Sequence, residues 1–129
     1  MKRLGATLLL CVLLIGCAAY KIHPGAVNGF DSGAYDSLIV AHATIESTKA
    51  DLAGNAFPAS VTPAVKKAVN DLIAAYNIAD TAYLDYHAAA AAGTVTQAQV
   101  DAVSSGLTNV STALTNLSSA KGVVKGAKK

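Results

Sequence analysis

Apolar residues return at three- and four-residue steps in three separate stretches of this chain, and that period marks amphipathic helices. The middle stretch is the most regular. Val65, Val69, Leu72, Tyr76, Ala79, Tyr83, Tyr86 and Ala90 alternate steps of four and three without a break. Thr62-Pro63 reads as an N-cap followed by proline at the first helical position, where the missing N–H costs nothing, and Gly93 reads as the stop. The predicted helix covers residues 63–92, a rod of roughly 45 Å at the α-helical rise.

The first stretch carries Tyr35, Leu38, His42, Ile45, Lys49 and Leu52, widened by Ile39 and Ala41. It predicts a helix over 31–53, with Asp31 capping the first turn, Phe30 stapled onto Tyr35, and Gly54 ending it. The third carries Val100, Val103, Leu107, Val110, Leu114 and Leu117. It predicts a helix over 96–121, closed by Gly122. Thr96 and Gln99 are spaced for a capping box, with Val95 and Val100 placed as the staple. Residues 54–61 form a connector whose Phe57 tucks onto the bundle end. The short link at Thr94 and Val95 makes the second and third helices antiparallel neighbours. The expected fold is all-α, an antiparallel three-helix bundle over residues 30–122. The heptad-like seams also suit a helical hairpin that completes its core by self-association.

The outward face of the third helix is polar without charge: Ser104, Ser105, Thr108, Asn109, Ser111, Thr112, Thr115, Asn116, Ser118 and Ser119. These residues are poor helix formers, so packing must hold the helix. Such a face suits solvent, carbohydrate or a partner surface.

The pattern changes ahead of the bundle. Met1-Lys2-Arg3 opens an apolar run from Leu4 to Ile15, which leads into Leu14-Ile15-Gly16-Cys17. The run falls short of the roughly 20 apolar residues a spanning helix needs. This segment resembles the lipobox of bacterial lipoprotein signal peptides. The resemblance implies removal of residues 1–16 and acylation of Cys17, first on sulfur and then on its new amine. Each buried CH₂ contributes about 0.8 kcal/mol, and two or more chains hold a protein on a membrane stably. Ala18, where retained inner-membrane lipoproteins carry Asp, is compatible with delivery to an outer membrane, facing the periplasm. Residues 17–29 then form the lipidated cysteine and a tether, rich in Pro and Gly; about 12 extended residues reach roughly 40 Å.

Charge changes the picture once the leader is set aside. The whole chain has a formal net charge of +2. Lys2 and Arg3 account for it, so the mature chain is balanced and offers no basic face for nucleic acid. Lys121, Lys125, Lys128 and Lys129 nevertheless crowd the end, the last three within a basic tail over 123–129. The chain is similar here to the murein lipoproteins, small alanine-rich helical proteins joined to peptidoglycan through a C-terminal lysine. The resemblance makes Lys129 the attachment residue. Pro63 and the glycine breaks depart from that family's continuous coiled coil. A looser contact of these lysines with anionic lipid would contribute about 1 kcal/mol each. The two cysteines are Cys11, inside the leader, and Cys17, so the mature domain has no disulfide and relies on packing.

Catalytic and metal signatures are missing. His23, His42 and His87 belong to no HExxH or Cys/His set, and Asp80 and His87 stand two turns apart. There is no GxSxG elbow and no Gly-rich phosphate loop, and Asp80 and Asp85 point to different faces. No enzyme and no cofactor beyond the Cys17 lipid is expected. The richest patch is Tyr76 to His87. Tyr76, Asp80, Tyr83, Tyr86 and His87, joined by Tyr35 from the first helix, make a candidate ligand or partner face. The competing reading makes them core tyrosines with hydroxyls at the rim. The expected protein is an anchored, non-catalytic binder or spacer. The alternatives are a tether between outer membrane and peptidoglycan, or an accessory, phage-like lipoprotein that modulates a membrane partner.

Overall fold

The computed structural model describes residues 25–126, with side chains up to residue 122; the leader, Cys17 and most of the tether lie outside that range. Three helices make up the molecule: α1 (Gly29–Ala53), α2 (Thr62–Ala92) and α3 (Gln97–Gly126). They form a three-helix bundle in which α2 is the middle helix. It packs along α3 and along α1, while α1 and α3 touch much less. Neighbours run antiparallel: Asp31 at the start of α1 meets His87 near the end of α2, and Asp85 of α2 meets Gln99 at the start of α3. None of the described helices is long and apolar enough to cross a membrane.

The helix ends follow local chemistry, with shifts from the expected bounds. Helix α1 starts at Gly29, and Asn28 is its N-cap, accepting the Asp31 amide at 2.9 Å. Phe30 therefore sits inside the first turn, and its ring meets Tyr86 edge-on, with centroids 5.0 Å apart. At the other end Gly54 keeps a negative φ, and it is Asn55 that takes the left-handed conformation, at φ 53°. The amides of Asn55 and Ala56 close back onto the carbonyls of Leu52 and Asp51, a Schellman turn built on asparagine. Thr62 is the first residue of α2 and not its cap. Its hydroxyl donates backwards to the Pro58 carbonyl at 3.0 Å, and Pro63 still falls within the first turn. Gly93, at φ 71°, ends α2 as expected. The capping box of α3 forms: Thr96 N–H donates to Gln99 Oε1 at 3.0 Å, and Gln99 N–H returns to Thr96 Oγ1 at 3.3 Å. Helix α3 passes through Gly122 and runs to Gly126, so part of the expected basic tail is helical.

The core seams are narrower than the sequence stripes. On α2 the expected positions hold: Val65, Val69, Leu72, Ala79, Tyr83 and Tyr86 are buried, with Tyr76 and Ala90 half-buried. On α1 the seam is Ala34, Leu38, Ala41, Ile45 and Thr48, and Tyr35, His42 and Lys49 lie exposed beside it. On α3 it is Val103, Gly106, Val110, Ala113 and Leu117, and the expected Leu107 and Leu114 are only half-buried on its flank. The reason is proximity. Helix axes packed 8–10 Å apart leave room at the centre for small side chains, and bulky ones move to the edge. Gly106 shows the limit: a Cβ there would lie 2.9 Å from Ala79 Cα and 3.1 Å from Ala79 Cβ. Any side chain at 106 must push α2 and α3 apart.

Candidate functional site

The aromatic, acidic and imidazole residues divide between two neighbouring places on the α1–α2 side. The first is a closed polar cluster at the start of α1. Asp31 is fully buried. Its Oδ2 accepts the Val27 amide at 2.9 Å, and His87 Nδ1 lies 2.8 Å from Oδ2 and 3.0 Å from Oδ1. A carboxylate accepts and does not donate, so the shared proton sits on His87 Nδ1. The Tyr83 ring lies against His87, and its hydroxyl feels the Asp31 charge. Beside it, Asn28 Nδ2 donates to the Tyr86 hydroxyl at 3.0 Å while that hydroxyl donates to Asn28 Oδ1 at 3.3 Å. This network ties the first turn of α1 to the last turns of α2, and its buried polar groups have partners.

The second place is an open groove of about 390 Å³ between the two helices, lined by Tyr35, Leu38, Ile39, His42 and Ala43 from α1 and Tyr76, Asp80, Tyr83 and Leu84 from α2. Antiparallel packing sets two ring pairs across it. Tyr35 faces Tyr83 with centroids 6.2 Å apart, and one heptad further His42 faces Tyr76 at 5.7 Å. On α2, Asp80 falls between Tyr76 and Tyr83, so the carboxylate lies between the two pairs. Both phenols feel it. Burial pushes the Tyr83 hydroxyl up to about 12, helped by the charge of Asp31, then by Tyr35 and Asp80. Tyr76 is raised by burial first and by the Asp80 charge second.

Of the six residues expected to share one face, Tyr35, Tyr76, Asp80 and Tyr83 line the groove. Tyr86 and His87 turn instead to Asn28 and Asp31, with the His87 ring stacked 5.7 Å from Tyr83. Tyr83 belongs to both places. Among the basic residues, Lys121 is half-buried and lines a shallow cleft with Ile39, Val40, Ala43, Thr44 and Ser47. Lys125 falls within α3, and Cys17, Lys128 and Lys129 lie outside the described residues. Sequence reasoning missed three contributors. Asp31 looked like a cap, Asn28 like tether, and His42 like a core residue. The spacing of Asp80 and Leu84, four residues apart on α2 with Tyr76 and Tyr83, was the available signal for the groove. No cluster of three His, Cys, Asp or Glu side chains arranged to hold a metal occurs among the described residues. Comparison with known protein families, characterised proteins and solved structures gives no match.

Proposed function

We propose that this chain is a lipid-anchored, non-catalytic binding module of a bacterial envelope, with lipid on Cys17 and the α1–α2 groove as its recognition surface. The observation that supports the reading is the groove itself. It keeps Tyr35, Ile39 and Leu84 exposed at 38, 46 and 57% along one lining. The lipobox resemblance at residues 14–17 supplies the anchor. Metabolic labelling with an alkyne-bearing palmitate, followed by membrane fractionation, tests that half. Label should enter the wild type and be absent from Cys17→Ser, which should leave the membrane fraction or remain unprocessed. Equal labelling of both chains would remove the anchor from the proposal.

A second reading, the membrane-to-wall tether, draws on one feature. The start of α1, to which the tether connects, lies at one end of the bundle, and α3, about 45 Å long at 1.5 Å per residue over 30 residues, runs away from that end with its lysines in its last turns. Muropeptides recovered on a C-terminal peptide of the wild type, and lost on deletion of Lys129, would favour it.

A further inference from the structure

We propose, resting on the groove as a recognition surface, that its ligand is a small organic cation, an alkylated ammonium carried on an apolar body. Two aromatic pairs, Tyr35–Tyr83 and His42–Tyr76, bracket the Asp80 carboxylate. The faces of Tyr35, Tyr76 and Tyr83 carry the negative end of the aromatic quadrupole and attract a desolvated cation within about 6 Å of a centroid. A carboxylate between two such pairs adds a full charge of the same sign, so the site favours a cation and repels an anion. No Lys or Arg lines the groove, and Asp80 has no cationic partner among the described residues. The surface acids Glu46 and Asp71 differ, since each pairs with a lysine on its own helix. Ile39 and Leu84 form the exposed apolar wall along which a hydrocarbon body would lie. A soft, weakly hydrated ammonium matches this lining better than a compact one, because little hydration is lost when it enters.

The test uses the full chain in neutral-lipid nanodiscs, its tyrosines replaced by 3-fluorotyrosine, and a series of three probes with one tail: hexyltrimethylammonium, hexanol and hexanoate. Fluorine signals, assigned through single Tyr→Phe variants, report where each probe goes. The ammonium should move Tyr35, Tyr76 and Tyr83 saturably and leave Tyr86 in place. It should bind at least tenfold more tightly than hexanol, with hexanoate weaker still. Asp80→Asn should weaken the ammonium at least fivefold without changing the melting temperature or hexanol binding. If hexanol or hexanoate binds these tyrosines as well as the ammonium does, the cation assignment is wrong and the groove survives as a recognition surface. If none of the three moves them, the groove reading falls as well.

Discussion

The Asp31 cluster and the Asp80 groove use the same three residue types, lie side by side on the same two helices, and share Tyr83, yet they differ in kind. Asp31 is fully buried and takes hydrogen bonds from an amide and an imidazole. Asp80 is half-buried, stands between two ring pairs and has no cation beside it among the described residues. One set of groups is closed on itself and holds the first turn of α1 in place. The other is left open towards solvent. Residue type does not separate a structural cluster from a binding surface; what separates the two carboxylates is that Asp31 is buried against its own partners while Asp80 faces the groove.

The sharpest way to break this contrast is to remove each carboxylate in turn. Asp31→Ala strands the Val27 amide and the His87 Nδ1 proton, and a loss of about 3 kcal/mol of folding stability is expected in urea denaturation. The same assay on Asp80→Asn should change stability by no more than about 0.5 kcal/mol. Equal losses at the two sites would erase the distinction. A smaller effect of opposite sign is expected at Thr48. Its hydroxyl is fully buried and has no hydrogen-bond partner, so Thr48→Val, nearly the same shape, should stabilise the bundle by about 1 kcal/mol. A destabilised Thr48→Val would mean that a partner holds this hydroxyl after all.

Tyr83 sharpens the comparison through pH. Its ordinary value is 10.0, and in the folded chain it is pushed up to about 12. Between these values the unfolded chain gives up the phenolic proton while the folded chain keeps it. The contribution is therefore fully present below pH 10 and is lost as pH rises towards 12. Tyr83→Phe should flatten that part of the stability profile, and the phenolate absorbance of the wild type should show Tyr83 titrating last, with Tyr76 also raised. If all tyrosines ionise together near 10, the Tyr83 hydroxyl is not withdrawn from solvent as the packing requires. The smallest change belongs to exposed pairs. Removing Lys67, 2.7 Å from Asp71 on the surface of α2, should shift stability by a few tenths of a kcal/mol, within what thermal melts detect only in replicate.

Much of this molecule is fixed by short-range pattern. The 4-3 stripe of α2 places its buried face residue by residue, and the Thr96–Gln99 box and Gly93 set the ends of helices because backbone groups there need partners from a few specified side chains. The lipobox resemblance at residues 14–17 carries the proposal of an anchor at Cys17, which lies outside the described residues. Tertiary structure decided the rest. Periodicity gives a face about 100° wide but not its centre, so the seams of α1 and α3 rotated onto Ala34, Ala41, Gly106 and Ala113, where close helix contact demands small side chains. That rotation left Tyr35 and His42 at the edge of the core, opposite Tyr83 and Tyr76, and created the groove. It also brought Asp31 to His87 across 56 positions of sequence, a pairing no local rule contains, because only the antiparallel docking of α1 on α2 brings the start of one to the end of the other.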